Sequence, residues 1–448
     1  MKMTQSVGGF KASDLKLAYV VTGFPTFSET FIQREVAELL RRGVSLDVYS
    51  LRPRDRSDHV NVREPLWEGH CFYVPTHPLK PEVLSAVASY GWRGLAVLRR
   101  ILKQIESRRE ALKILVHYPR ILWLAKRIEK QGYSRIHAHW ATLPATAAYV
   151  VQQLAGIPYS ITAHAYDIYT SREGAFLKEK LRAATHVVTC TRYNLDYLRR
   201  LVQDRASRFK LVYHGLNPDD YDPTVPYPER SYILAGGRLV AKKGFHVLLQ
   251  ALHQVKVTRG GEIPTVIFGD GPERERLESE RASLGLQAVT FVGRQPHAEV
   301  QKLMAKARVF VAPSVITADG NMDGIPNVLV ESMASGVPAV ASAISGIPEV
   351  IVPGETGWLV KAGDVLELAA CLTEAWEHPE VCQKFGQRAR NVVEEKFDLA
   401  KNMSQLLELF ESAVTEDRGG RLRASAGELE SGLQQGGAAG THRQPPRS

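Results

Sequence analysis

Cysteine is scarce: the 448 residues hold four, Cys71, Cys190, Cys371 and Cys382, far apart and with no histidine cluster beside them. This excludes a disulfide-stapled scaffold and offers no zinc-binding spacing, so free thiols in a reducing compartment are expected. Long apolar runs are also missing, none approaching the roughly 20 residues that cross a bilayer as a helix. The opening residues, "MKMTQSVGGFKASDLKLAYVVTGF", contain no apolar stretch ending in a small-residue cleavage site, and their hydrophobic part reads as a first strand. A cytoplasmic location is the expectation. No GxxxxGKS/T occurs, and no GxGxxG opens a helix with an acid about 20 residues later, which counts against P-loop kinases and simple nicotinamide enzymes. Aromatic and basic residues are not interleaved and no nucleic-acid motif is present, so nucleic acid is not an expected partner.

What is present is a globular composition, 44% hydrophobic and 23% charged, in a chain long enough for two domains. The net charge of +9 is uneven: residues 1–217 carry 33 Lys/Arg against 18 Asp/Glu, and the remainder 24 against 30. A basic first half suits contact with an anionic surface. Its most basic stretch, residues 92–130, sets Leu95, Leu98, Ile101, Leu102 and Ile105 at helical spacing beside Arg99, Arg100, Lys103, Arg108 and Arg109. Two readings fit: a helix lying on anionic lipid at the inner face of the plasma membrane, or an amphipathic helix on a core.

Short apolar runs alternate with longer helical patterns along the whole chain. "LKLAYVVTGF", "SETFIQREVAELLRRG" and "SLDVYSLR" begin the series, and "RIHAHWA", "YSITAHAYD", "THVVTCT" and "FKLVYHGL" continue it. This is the signature of βαβ units and a parallel sheet. The Pro- and Asp-rich segment "NPDDYDPTVPYPERS" interrupts it, and the pattern restarts at "YILAGGRL". The expected architecture is therefore α/β with two Rossmann-like domains, residues 1–217 and 218–397, facing a central cleft. A helix from 398 to 417 and a disordered tail from 418 to 448 complete the expected organisation.

The second half carries groups suited to a diphosphate. "GGRLVAKKGFHVLL" places Gly236 and Gly237 at a strand end, Arg238 just after them, and Lys242, Lys243 and Gly244 at the start of a helix. Flexible backbone, separated cations and a helix N-terminus together suit an anion, with Arg238 and Lys243 spaced to converge on it. In "MDGIPNVLVESMASGVPAVAS", Asp323 stands in a loop and Glu331 one turn or so inside the following helix, which Pro326 starts and Gly336 stops. Carboxylates accept hydrogen bonds, so sugar hydroxyls are natural partners for Asp323 and ribose hydroxyls for Glu331; the plainer roles are a helix cap and an edge residue. "SGIPEV" adds a turn before another expected helix, with Gly346 able to offer backbone N–H groups to phosphate.

In order, "GGRLVAKKG", "FGDGPERERLE", "VTFVGR", "DGIPNVLVESMASGVPAVAS", "GIPEVI" and "GETGWLV" resemble the family 4 glycosyltransferases, retaining enzymes of GT-B fold, over about residues 231–365. "FPTFSETFIQREV", "HAHWA" and "TAHAYD" resemble the bacterial exopolysaccharide branch, including colanic-acid-type transferases. The resemblance implies that Arg238 and Lys243 hold the donor diphosphate and that Asp323 and Glu331 are the two acids of the family's E-x7-E motif, with Asp where the pattern has Glu. It also implies that His164 is the active-site histidine beside the reacting sugar, that His139 and Trp140 border the acceptor side, and that residues 23–30 form a loop near the diphosphate. Gly269 and Gly271 fall in the donor-binding set, Val292 and Gly293 flank the base, and the final helix crosses back to the first domain. A UDP- or GDP-sugar donor, a glycan or lipid-diphosphate-linked acceptor, no required cofactor and no metal follow from the same resemblance. A nucleotide-sugar epimerase or a phosphorylase could share the cleft, but the motif set disfavours the first, and the second needs a longer chain and a pyridoxal-phosphate lysine that is not found. A non-catalytic scaffold could keep the fold and the basic helix but would have no need for Arg238, Lys243, Asp323, Glu331 and His164 together.

Overall fold

Runs such as KLAYVV and YILAG carry apolar side chains on both faces, which suits strands covered by helices on either side. They form two all-parallel sheets in a computed structural model that describes residues 15–26, 29–53, 65–203 and 207–412. The first sheet contains β1 (Lys16–Val21), β2 (Ser45–Ser50), β3 (Cys71–Tyr73), β4 (Arg135–His139), β5 (Tyr159–Ala163), β6 (Val187–Thr189) and β7 (Phe209–Leu211), in the order 3-2-1-4-5-6-7. The second contains β8 (Tyr232–Gly236), β9 (Thr265–Phe268), β10 (Val289–Gly293), β11 (Ala307–Ala312), β12 (Ala339–Ser342) and β13 (Gly357–Val360), in the order 10-9-8-11-12-13. Each order reverses direction once, between β1 and β4 and between β8 and β11, and open parallel sheets bind ligands beyond the strand ends at such points.

Apolar clusters cover both faces of each sheet. One of them, built around Leu17, Tyr19 and Val36, also contains Met403, Leu406 and Phe410 from the helical residues 399–412. The chain therefore returns from the second sheet to the first. At the crossing, Leu216 N–H donates to Phe397 O at 2.8 Å and Leu399 N–H to Leu216 O at 2.9 Å. Glycine is required beside this crossing, because a Cβ on Gly215 would lie 2.5 Å from Leu399 Cα.

The basic stretch is not one helix. It comprises the end of α2 (Pro81–Leu102), which follows α1 (Thr30–Arg41), and α3 (Arg108–Gln131), which begins at the Ser107 cap. The apolar stripe expected on a lipid-facing side divides: Ile101 is fully buried, Leu98 and Ile105 pack on the core of the first sheet, and only Leu95 is well exposed. Helical spacing alone could not separate core from surface here, because the two helices pack together and bury the side of α2 that holds Ile101. The segment after Gly346 is a three-residue 3-10 turn, Ile347–Glu349, and not the expected helix. The expected disordered tail and residues 27 and 28 of the loop after β1 lie outside the described residues. Among the described residues no helix is long and apolar enough to cross a membrane.

Candidate active site

Beyond β8 the chain turns through Gly237 and a 3-10 turn, Ala241–Lys243, into the helix Phe245–Arg259. Gly244 makes this path possible: its φ is +65°, and a Cβ there would sit 1.9 Å from Pro313 O, just past β11. Close approach of the two strand ends brings Lys242 and Lys243 to Asp323. Lys242 Nζ lies 3.0 Å from Asp323 Oδ1, and Lys243 Nζ 2.8 Å from Oδ2. Ser314 Oγ donates to Oδ2 at 3.0 Å. Burial alone would raise the Asp323 pKa, but the two ammonium groups outweigh it and hold the carboxyl down at about 2. Asp323 is thus an anion gathering two cations at the mouth of the second sheet.

Arg238, expected to converge with Lys243, is exposed instead, and its guanidinium has no hydrogen-bond or ion-pair partner among the described residues. Gly269 and Gly271 press against the backbone of the same loop: Cβ atoms there would lie 1.8 Å from Gly237 O and 2.4 Å from Leu239 O. Gly293 O accepts from Gly269 N–H at 2.7 Å, which brings the end of β10, including Val292, to this rim.

Glu331 is buried in the helix Asn327–Ala334, one turn past Pro326. Its Oε1 takes an ion pair from Arg34 Nη1 of α1 at 3.1 Å, so the first domain reaches the second at this carboxylate. Gly346 lies at another junction, where a Cβ would meet Thr191 Cγ2 at 2.5 Å. Next to it Glu349 accepts from the N–H groups of Arg192 and Tyr193, each at 2.9 Å, and from Tyr213 Oη at 2.8 Å. A carboxylate from the second domain therefore caps the helix Arg192–Val202 of the first.

Across the cleft, the carboxyl ends of β1, β4 and β5 carry a buried polar cluster. His139, the last residue of β4, is fully buried and places Nε2 3.0 Å from Glu35 Oε1, which also accepts from Tyr19 Oη at 2.8 Å. His139 Nδ1 and His164 Nε2 are 3.5 Å apart, and His164 Nδ1 and His214 Nε2 3.1 Å. Asp167 fixes the turn after β5 by accepting from the N–H groups of Ala141, His164 and Ala165. Trp140, with φ +79°, lays its ring 4.0 Å from that of His164, while Phe31 stacks on His214 at 4.2 Å. Burial pushes His164 well below the ordinary histidine range, and His214 down to about 3. Both rings are neutral.

Two groupings here have the residue types that hold metals, Glu35 with His137 and His139, and Cys190 with His164 and His214. Neither is assigned an ion. His137 is held by Ser160 and Thr162, and the other rings bond one another or Glu35.

The motifs singled out Asp323, Glu331, Lys243 and His164, but gave Lys242, Ser314, Arg34, Glu35 and His214 no role. One of these was visible in principle: Glu35 falls at helical spacing among Phe31, Ile32, Val36 and Leu39, an acid on an apolar face. His214 follows a three-residue strand and had no such signal.

Two family models match, "Glycosyltransferase Family 4" over residues 105–220 and "Glycosyl transferases group 1" over residues 219–392. The amylovoran biosynthesis glycosyltransferase AmsK of Erwinia amylovora is 28% identical over 418 residues, 89% of this chain and 99% of that protein. The putative colanic acid biosynthesis glycosyltransferase WcaL of Escherichia coli is 28% identical over 86% of this chain and 96% of its own length. Among solved structures, HepE of Anabaena in complex with UDP superposes with a TM-score of 0.67 at 18% identity, covering 89% of this chain and all of that one. Sucrose-phosphate synthase of Thermosynechococcus elongatus gives 0.71 at 21%, with 90% and 100% covered. The shared architecture is GT-B, with two Rossmann-like domains.

Proposed function

The chain belongs to the family 4 glycosyltransferases, and on that premise we propose that it is a retaining hexosyltransferase using a UDP- or GDP-sugar. The observation that carries the donor reading is the gathering of Lys242 and Lys243 on buried Asp323, at the carboxyl ends of β8 and β11. A departing diphosphate needs its growing charge neutralised, and Lys243, Arg238 and the start of the helix Phe245–Arg259 supply this without a metal. Asp323 orients the lysines and offers oxygen atoms to sugar hydroxyls, and Glu331 accepts from the ribose. The glycines at 269, 271 and 346 and the Val292–Gly293 rim line the nucleotide side.

Retention by double displacement would need a free carboxylate nucleophile. Asp323 is held by lysines, Glu331 by Arg34, Glu35 by Tyr19 and His139, and Asp167 by three backbone N–H groups. Their engagement supports front-face substitution, in which the acceptor hydroxyl attacks on the leaving-group side and its proton passes to the departing phosphate. His164 then orients the sugar and forms no covalent bond. Domain closure excludes water from the donor.

The relatives' names support an acceptor in exopolysaccharide or cell-surface polysaccharide synthesis, a glycan or lipid-diphosphate-linked oligosaccharide. Peripheral contact with an anionic membrane belongs to the same reading. Its support is the exposure of Leu84, Trp92 and Leu95 on α2 and of Leu112 and Val116 on α3, Trp92 to 79%, in the same two helices as exposed Arg99, Arg108 and Arg109. Arg100 contributes less, because Glu179 holds it at 2.8 Å. Cosedimentation with anionic vesicles is expected to fall several-fold in Trp92→Ser with Arg99, Arg108 and Arg109 changed to Gln; unchanged binding would remove the membrane from the proposal.

The donor reading is tested by thermal shift with UDP, GDP, ADP and their sugar conjugates. A nucleotide that binds only the native state must raise the melting temperature. Stabilisation by one nucleotide family, absent in Lys243→Ala and Glu331→Ala, is expected. No shift in folded protein would reject nucleotide-sugar binding and favour a scaffold.

A further inference from the structure

We propose that Glu35 is a positioning residue that acts through His139 to determine which ring nitrogen of His164 carries the proton. A carboxylate can only accept, so the 3.0 Å contact with Glu35 Oε1 requires a proton on His139 Nε2. In the neutral ring His139 Nδ1 is then a lone pair, and it takes the Nε2–H of His164 across the longest link, 3.5 Å. His164 Nδ1 becomes the next lone pair and takes His214 Nε2–H at 3.1 Å. One acid, two rings away, thereby aligns three histidines in the same sense. The chain ends at His214 Nδ1, an acceptor on a ring that Phe31 holds by stacking.

The surroundings support a fixed alignment. Glu35 is only 5% exposed and His139 fully buried, so neither has water as an alternative partner. Burial keeps His164 and His214 neutral, which gives each one donor and one acceptor. Without Glu35, the His139 Nε2–H would be buried and unpaired, at a cost of roughly 1–3 kcal/mol. The reversed chain keeps both inter-ring bonds and leaves a lone pair unpaired instead of an N–H, so loss of the acceptor favours reversal. The proton of His164 then moves to Nδ1, and His214 presents a donor where it had presented an acceptor. A sugar hydroxyl at this end would meet the wrong partner.

The consequence for turnover rests on the transferase reading, but the alignment does not. Nitrogen chemical shifts of the full chain with 15N-labelled histidine, assigned with His164→Gln, report the tautomer without substrate. Wild type is expected to carry the His164 proton on Nε2. Glu35→Met is expected to move it to Nδ1, while Glu35→Gln, which keeps an acceptor oxygen, leaves it in place. A wild-type proton on Nδ1, or a Glu35→Met spectrum unchanged at His164, would overturn the proposal. Should Glu35→Met not fold, the wild-type tautomer decides alone, and His139→Phe, which cuts the link, must alter the His164 signals. In donor turnover, Glu35→Met is expected to lower kcat on the order of 10²-fold with the donor KM within about threefold. A moved proton with unchanged kcat would reject the catalytic consequence and leave the alignment standing.

Discussion

The two sides of the cleft handle polarity in opposite ways. The first domain keeps its groups inside, as imidazoles in sequence from one carboxylate, of which burial keeps His164 and His214 neutral, and as Lys180, which is wholly buried against Glu173 at 2.6 Å. The second places full charges at its rim, with Lys242 and Lys243 half-buried on Asp323 and Arg238 in solvent. Neutral rings hold direction without attracting a counterion, whereas clustered ammonium groups attract an anion. The first side suits orientation of a sugar, and the second neutralisation of a phosphate.

Lys180→Met should break this comparison most strongly. Its ammonium also donates to Ala141 O and Thr146 Oγ1, and removing it leaves Glu173 buried and unpaired. Chemical denaturation is expected to show a loss of about 3–5 kcal/mol, with nucleotide binding retained in the protein that remains folded. Next, Lys243→Ala removes a rim charge and is expected to lower kcat/KM for the donor by about 10²–10³-fold, with much less effect on folding than Lys180→Met.

Acid sharpens the contrast. Asp323 titrates near 2, below its ordinary 3.8, so its contribution to stability is present above about pH 4 and is lost as pH falls through about 2. Relative to Asp323→Asn, wild type should lose about 2 kcal/mol between pH 5 and pH 1.5, as read from urea denaturation at each pH. The last change acts on the contact that joins the two sides, and its effect on shape is small. Arg34→Ala removes an ion pair whose arginine is partly exposed but whose carboxylate, Glu331, is buried, so it leaves a buried acceptor unpaired at a cost of roughly 1–3 kcal/mol. Small-angle scattering without nucleotide should show a slightly larger radius of gyration, and an unchanged one would mean that the Glu349 junction suffices.

The alternation of apolar runs predicted both sheets, since parallel strands buried on two faces read as short hydrophobic segments between helical ones. Pro326 and the spacing from Asp323 to Glu331 likewise placed one carboxylate before a helix and one within it. Such features are local. They follow from backbone preference and side-chain period, and they could be read from residues a few positions apart.

What the tertiary structure decided is who meets whom. Asp323 on both lysines, Arg34 on Glu331 across 297 positions, and Glu35 on His139 across 104 depend on where strand ends converge. The same holds for Ile101, which has the spacing of a surface stripe and is buried because α3 lies against α2. The sequence by itself determined the family, the order of elements and the charged groups available. Packing determined which of those groups are neutral, which are paired and which face the cleft, because burial and the nearest opposite charge set protonation and direction, and neither is a property of neighbours in the chain.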